Sequence, residues 1–237
     1  MTLVQPYDLW CMGTIAKAWN ELRAEVPDHV SLVAVSKTKP YEAVVEAYGA
    51  GARMFGENRV QELVGKHETL THQDSGRTDD FEGLEWHQIG TLQRNKVKYI
   101  APFVHLIHAV DQPSLLDEIN KRAASHGRKQ NILLQVHIAE EQSKFGFTSS
   151  ELPQLLEQLD GGRWPNVQAL GLMGMATFTS DEAQVAREFS GLRKDFEAHG
   201  RQRNWTTLSM GMSGDWRIAV AEGSTMVRIG SSIFGQR

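Results

Sequence analysis

Two kinds of hydrophobic pattern alternate along this chain. Short apolar runs rich in β-branched residues are each followed by a longer stretch in which apolar positions recur every three or four residues. The short runs predict buried strands, and the longer stretches predict amphipathic helices. A first helix is predicted over residues 8–26. The eight predicted strands cover residues 31–37, 53–56, 85–90, 104–109, 131–138, 167–175, 207–211 and 225–230.

The regular alternation of strand and helix indicates a parallel sheet. Eight such units in 237 residues favour an α/β fold, a single-domain (β/α)₈ TIM barrel over residues 1–237 with an extra helix at its N-terminus. The alternative is a doubly wound open sheet, which is weakened because no Gly-x-Gly-x-x-Gly sequence follows the first strand. The polar segment 72–81 shows no periodicity, and we expect it to be a surface loop.

Charge and composition exclude several classes of partner. The net charge of −4 leaves no basic field that would attract nucleic acid or an anionic membrane. No apolar segment approaches the roughly 18 residues of a membrane span, and the N-terminus lacks the pattern of a signal peptide. The one cysteine, Cys11, cannot form an intrachain disulfide, and no Cys/His spacing typical of a metal site occurs. We therefore expect a soluble cytoplasmic protein with no metal and no nucleic-acid or membrane partner.

Lys37 is the first candidate for chemistry, because reactive groups in such barrels lie at the carboxyl ends of the strands. It ends the first predicted strand, directly after an apolar run. A lysine pointing from there into the barrel mouth is costly unless it is paired or neutralised, and a neutral amine is a nucleophile toward an aldehyde. The position is equally compatible with a lysine that reaches solvent or pairs with a carboxylate.

Gly- and Ser-rich turns follow strands seven and eight, where barrels of this type commonly bind phosphate. Ser213 is a candidate N-cap of the helix after strand seven, and Gly230, Ser231 and Ser232 open the last helical turn. Free backbone N–H groups and hydroxyls at such turns form an anion site. Two ordinary capping turns are the alternative, but their coincidence at this position favours a phosphate site.

Closure of the barrel brings strand eight beside strand one, so Arg228 and Lys37 become neighbours if Arg228 faces inward. A phosphate site, a lysine and an arginine together suit a phosphorylated aldehyde, of which pyridoxal 5′-phosphate (PLP) is the common case. An arginine against the pyridine nitrogen would keep that nitrogen unprotonated, and an unprotonated ring is a poorer electron sink. The cofactor would then be held firmly while carbanion chemistry stays weak.

Seven motifs in a fixed order connect this sequence with a known family. They are AVSKTKP (34–40), FGENRVQEL (55–63), EWHQIGTLQRNK (85–96), SK-x-G (143–146), GLMGMAT (171–177), LSMGMS (208–213) and GSTMVRIGSSIFG (223–235). With these motifs the chain resembles the pyridoxal phosphate homeostasis proteins, the YggS/PROSC-like family, from about residue 30 to the C-terminus.

The resemblance implies a fold-type III PLP barrel, like the N-terminal domain of alanine racemase. Lys37 falls on the family's Schiff-base lysine, and Arg228 falls on the arginine near the pyridine nitrogen. Asn58 is expected near the cofactor. The residues that fall on phosphate-contacting turns are Ser209, Ser213, Gly230 and Ser231, and the residues expected to pack against the ring are Met175 and Met210.

The resemblance also implies a function. Family members buffer or deliver PLP and influence amino-acid and keto-acid pools, and a robust catalytic reaction is not their hallmark. The implied partners are PLP and PLP-dependent apoenzymes, and a monomer is expected. Thr91 stands where the family usually has histidine or proline, and Arg94 stands where it has serine, so the ligand contacts of that loop stay open.

Two enzymatic alternatives remain. A PLP-dependent amino-acid racemase needs an acid/base on each face of the substrate α-carbon. Lys37 could serve one face, but no tyrosine of this chain sits in a motif matching the other role, and the second domain of alanine racemase is not expected here. A class I aldolase usually carries its lysine on a late strand. His87, in the third strand, is either a base near the cofactor or a histidine hydrogen-bonded inside the barrel.

Overall fold

Eight parallel strands close into a barrel in sequence order, with β8 paired to β1. The computed structural model describes residues 13–71, 81–140 and 145–236. The strands are β1 (Ser31–Val35), β2 (Met54–Glu57), β3 (Glu85–Gln88), β4 (Leu106–Val110), β5 (Gln130–Gln135), β6 (Val167–Met173), β7 (Thr207–Met212) and β8 (Met226–Ile229). The helices are α1 (Thr14–Glu25), α2 (Tyr41–Gly49), α3 (Val60–Thr71), α4 (Val97–Ile100), α5 (Pro113–Ser125), α6 (Leu152–Asp160), α7 (Glu182–Gly200), α8 (Trp216–Ala221) and α9 (Ser231–Phe234).

The predicted closed barrel is confirmed, and all eight predicted strands are present with ends shifted by a few residues. β1 ends at Val35, so Lys37 lies in the turn that follows the strand rather than in the strand. The predicted N-terminal helix is observed as α1 from Thr14 onward. Residues 8–12 of that prediction, Cys11 among them, and residues 72–80 of the predicted loop lie outside the described residues.

Side-chain alternation along the strands separates two apolar layers. One is a small cluster inside the barrel, made of Val33, Leu106, Ala109, Leu133, Met173 and Met226. The other lies between the strands and the helices and includes the residues in alternate positions, such as Leu32 and Leu172. The inner cluster is small because polar side chains fill much of the barrel interior. Some of these polar side chains belong to the candidate site.

The extra N-terminal helix packs beside α2 and α9. Glu46 on α2 accepts hydrogen bonds through one carboxylate oxygen, Oε1, from the backbone N–H groups of Gly13, Ile15 and Ala16, at 2.8, 3.0 and 3.1 Å. This carboxylate satisfies N–H groups that a helix start otherwise leaves without partners. Among the described residues, no helix is both long enough and apolar enough to cross a membrane.

Candidate functional site

Lys37 lies in the turn that follows β1, at the carboxyl end of the barrel. The preceding residue, Ser36, is buried and turns outward, where its hydroxyl donates to Glu57 Oε1 at 2.6 Å. Lys66 Nζ reaches the same point, at 2.8 Å from the Ser36 carbonyl oxygen. Lys37, the next residue, is half-buried.

This turn is also strained. The Lys39 N–H donates to the Ser36 carbonyl at 3.0 Å, which closes a four-residue turn. Thr38, its third residue, has a φ of 65°, a conformation that normally favours glycine and costs a β-branched residue about 1–3 kcal/mol. Glu62 on α3 accepts the Thr38 N–H at 2.8 Å and helps hold the turn. Lys37 is therefore presented by backbone whose conformation its neighbours enforce.

A buried ion pair lies behind the turn. Lys66 Nζ is 2.5 Å from Glu57 Oε1, and both side chains are almost inaccessible to solvent. Burial raises the pKa of the Glu57 carboxyl, and the Lys66 ammonium opposes that shift. Such a pair adds little net stability, but removing one partner leaves an uncompensated buried charge.

Arg228 occupies the barrel interior, on the strand next to Lys37. β8 lies against β1 with Arg228 level with Val33. One guanidinium nitrogen, Nη1, donates to the Ser209 carbonyl at 2.9 Å and to the Ser209 hydroxyl at 2.6 Å, and Nη2 donates to the Gly174 carbonyl at 3.2 Å. Burial lowers the pKa of Arg228 to about 10, against the opposing effect of Asp215. The guanidinium therefore stays protonated at neutral pH.

The turns after β7 and β8 meet each other. The Gly230 N–H donates to the Ser213 hydroxyl oxygen at 3.2 Å, which joins the two predicted phosphate-contacting turns directly. A side chain at Gly230 would place its Cβ 3.0 Å from the Val35 carbonyl oxygen, so this position requires a very small residue. Ser231, the next residue, is exposed.

Two residues of the predicted site are fully buried within β7. Ser209 is fully buried within β7, where its hydroxyl contacts Arg228 and His108, so it supports the arginine rather than a phosphate-contacting turn. Met210 is also fully buried, but it belongs to the apolar layer between strands and helices. The physical reason is strand alternation, which sends adjacent residues of β7 to opposite faces.

Two further predicted residues border the mouth. Met175 follows β6 and is 42% exposed, so it is available to a ligand there. Asn58 follows β2 and is half-buried, and its carbonyl oxygen accepts a hydrogen bond from Gln88 Nε2 at 2.9 Å. Thr91 and Arg94 line an open groove of about 760 Å³ beside α5, at the rim of the same barrel end.

A polar path through the barrel interior was missed by sequence reasoning. His87 Nδ1 lies 2.9 Å from His108 Nε2, and His108 Nδ1 lies 3.3 Å from the Ser209 hydroxyl that accepts from Arg228. Burial lowers the pKa of both histidines, so both rings are neutral at pH 7. His87 is thus hydrogen-bonded inside the barrel, one of the two outcomes that the sequence left open. Assigning which residues of β3, β4, β7 and β8 face the barrel interior could have indicated this path.

The comparisons with known proteins agree with this architecture. The family model described as "Alanine racemase, N-terminal domain" matches residues 11–237. The pyridoxal phosphate homeostasis protein of Aquifex aeolicus is 41% identical over 208 residues, which cover 87% of this chain and 86% of that protein. The protein of the same name from Escherichia coli K12 is 40% identical over 219 residues, covering 89% of this chain and 87% of the relative.

Solved structures extend the similarity to three dimensions. PipY from Synechococcus elongatus, solved without PLP, has a TM-score of 0.83 and 38% identity, covering 93% of this chain and all of PipY. PipY with PLP bound has a TM-score of 0.81 at 37% identity. Alanine racemase from Streptomyces lavendulae is 16% identical with a TM-score of 0.72, which shows a shared fold over 58% of that enzyme. This chain therefore belongs to the family of the pyridoxal phosphate homeostasis proteins, built on a barrel of the alanine racemase N-terminal type.

Proposed function

We propose that this protein binds PLP as a Schiff base on Lys37 and serves in PLP homeostasis. The observation that carries the proposal is the meeting of three features at one barrel end. They are Lys37 in the turn after β1, the buried Arg228 on the adjacent β8, and the joined turns of Ser213 and Gly230. The solved structure of the similar protein PipY with PLP bound supports the same choice of ligand.

The available donors match the polar groups of PLP. The backbone N–H groups around Gly230 and the hydroxyls of Ser213 and Ser231 would hold the phosphate. Lys37 would form the covalent link to the aldehyde, and Asn58 and Met175 would lie beside the bound ring. The bound cofactor supplies an aldehyde that can be exchanged and a ring that can accept electrons.

Arg228 would limit how much chemistry the bound ring performs. With a pKa of about 10, its guanidinium keeps its protons at neutral pH, and a second proton on the facing pyridine nitrogen is disfavoured. An unprotonated ring withdraws electrons weakly, so tight binding with weak catalysis is expected. Binding rather than racemisation is therefore the proposed role.

The decisive test is the covalent link. We expect the purified protein incubated with PLP to show a visible imine band that borohydride removes, with PLP then fixed to the peptide containing Lys37. Lys37→Ala should abolish the band and leave the far-ultraviolet circular dichroism unchanged. Lys39→Ala is the matched control, because Lys39 lies in the same turn but donates to the Gln236 carbonyl. An imine band that survives Lys37→Ala, or that Lys39→Ala removes, would contradict the proposal.

A role in PLP homeostasis implies proteins that receive the cofactor. We propose that PLP-dependent apoenzymes receive the cofactor from a cytoplasmic, monomeric form of this protein. The support is chemical, since an imine can be exchanged onto the lysine of another protein. Light scattering of the PLP-loaded protein should give the mass of one chain, and a mass of two chains would contradict the monomer.

A further inference from the structure

Metal-ligating side chains gather at the end of the barrel opposite to Lys37. Glu85 begins β3, His87 follows it two residues later on the same face, and His105 stands just before β4. One ligand atom from each lies within 4.8 Å of the others. Glu85 Oε2 is 3.7 Å from His87 Nε2, and Glu85 Oε1 is 3.5 Å from His105 Nδ1. The two imidazole rings stack in parallel, with centroids 5.6 Å apart and planes 9° apart.

One of these ligand atoms is buried and has no hydrogen-bond partner. The side chain of His87 is 1% exposed, and its Nε2 makes no hydrogen bond to any described residue. Nearly all buried polar atoms in proteins are paired, and one left unpaired costs about 1–3 kcal/mol. Nε2 faces the Glu85 carboxylate at a distance too long for a hydrogen bond but suitable for two ligands of a common ion.

The other nitrogen of the same ring orients it. His87 Nδ1 is 2.9 Å from His108 Nε2, inside the barrel. When Nδ1 carries the proton and donates to His108, Nε2 presents a lone pair toward Glu85 and His105. Histidines that ligate metals are usually oriented by a hydrogen bond at their second ring nitrogen in this way.

We propose that Glu85, His87 and His105 bind a divalent transition-metal ion, with Zn²⁺ the best match, at the amino-terminal end of the barrel. Two imidazole nitrogens and one carboxylate oxygen form a ligand set that zinc accepts, whereas calcium and magnesium prefer oxygen ligands. Bonds of about 2.0–2.1 Å in tetrahedral geometry separate ligand atoms by about 3.4 Å, and one ligand atom from each of the three side chains lies within 4.8 Å of the others, so small side-chain movements would bring them to an ion.

The site is open to solvent on one side. The side chains of Glu85 and His105 are 32% and 41% exposed, so an ion can enter and a water molecule can complete its coordination. The ligands come from two neighbouring strands, and an ion that they share would link β3 to β4. Residues at this end of such barrels generally serve stability rather than catalysis. The bound ion is therefore expected to stabilise the fold.

The test is a calorimetric titration of Zn²⁺ into the tag-free full-length protein after chelator treatment. Wild type should bind one ion per chain, with a thermal midpoint that rises when zinc is added. Glu85→Gln and His105→Ala, both at partly exposed positions, should each weaken binding about 10-fold or more. The exposed His126, at the end of α5, provides the control His126→Ala, which should bind zinc as wild type does. Equal zinc affinity in wild type and His105→Ala would overturn the proposal, as would no binding at all.

Cobalt substitution separates this site from the thiol of Cys11. Co²⁺ held by nitrogen and oxygen gives visible d–d bands without a thiolate charge-transfer band, and Cys11→Ser should leave this spectrum unchanged. A charge-transfer band that disappears in Cys11→Ser would assign the metal to the thiol and overturn the proposal. The titrations are run with and without PLP, so a failure of the metal site and a failure of PLP binding are read separately.

Discussion

The two ends of the barrel organise their polar groups differently. At the carboxyl end, the turn that carries Lys37 is held from outside by Ser36, Glu57 and Lys66 through short hydrogen bonds. At the amino end, Glu85 lies 3.5 Å or more from its histidine neighbours. The first end is fixed by contacts within the chain, whereas the second end has ligand atoms spaced for an ion between them.

Between the two ends, a path of hydrogen bonds joins four polar side chains in the barrel interior. The path from His87 through His108 and Ser209 to Arg228 uses side chains from four strands. A buried network of this kind is stable only when its members are paired, because the low local dielectric penalises each unpaired group. At the carboxyl end the side chains around the Lys37 turn are already held in place, whereas at the amino end a bound ion would complete the contacts of Glu85 and the two histidines.

The largest effect is expected at the ion pair behind Lys37. Glu57→Gln removes the carboxylate that faces Lys66 and leaves a buried ammonium without a counter-charge. The free energy of unfolding should fall by about 3–5 kcal/mol, measured by urea denaturation at pH 7. The double variant Glu57→Gln/Lys66→Met should recover most of this loss, because it removes both charges.

A partly exposed ion pair serves as the control. Glu118→Gln breaks the contact with Arg122 on α5, where both side chains remain accessible to solvent. Its cost should not exceed about 1 kcal/mol. If Glu57→Gln cost no more than Glu118→Gln, the carboxyl end would not be held by the buried pair, and the contrast between the two ends would fail.

An intermediate effect is expected where the interior path meets Arg228. Ser209→Ala removes the hydroxyl that accepts from Arg228 at 2.6 Å and contacts His108. The loss of a hydrogen bond to a buried charge should lower the free energy of unfolding by about 1–3 kcal/mol. PLP affinity, measured by fluorescence titration, should fall with it, because the guanidinium loses part of its support.

Ser224→Ala is the matched control for this change. Its hydroxyl is equally buried and donates to the Met210 carbonyl at 2.8 Å, without contact to Arg228. Both variants should lose stability, but only Ser209→Ala should lose PLP affinity. Equal PLP affinity in the two variants would show that Ser209 supports the barrel alone and not the arginine.

The sequence could predict that three candidate residues lie at the carboxyl ends of strands, because they follow strands within continuous motifs. Lys37, Ser213 and Gly230 each stand one or a few residues after an apolar run, where position along the chain nearly fixes position in the barrel. The barrel itself follows from the same pattern, since eight alternating units in this length have few other ways to close.

The remainder depends on register between distant strands. The path from His87 to Arg228 joins residues more than a hundred positions apart, and the metal-ligating group combines β3 with the start of β4. Neither arrangement corresponds to a recognisable motif within a short stretch of the sequence, and the sequence has no Cys/His spacing typical of a metal site. The motif alone also does not show which face of a strand each residue occupies. Ser209 and Met210 are adjacent in sequence but lie on opposite sides of β7.

The smallest effect concerns a carboxyl group at the carboxyl end of the barrel. Burial raises the pKa of Asp111, just after β4 at the barrel mouth. A raised pKa means that the charged Asp111 disfavours the folded state. Asp111→Asn should therefore stabilise the protein at pH 7 by less than about 1 kcal/mol.

The pH dependence of this gain follows from linkage. Below the pKa of an unfolded aspartate, about 3.9, the wild-type group is neutral in both states, and the variant has no advantage. The advantage grows as the pH rises from the unfolded-state pKa to the higher folded-state pKa, because the unfolded chain ionises while the folded group stays neutral, and it is complete above the folded-state pKa. Urea denaturation of both proteins between about pH 4 and pH 7 measures this difference. A loss of stability in Asp111→Asn at pH 7 would mean that the ionised carboxylate forms a needed contact at the mouth.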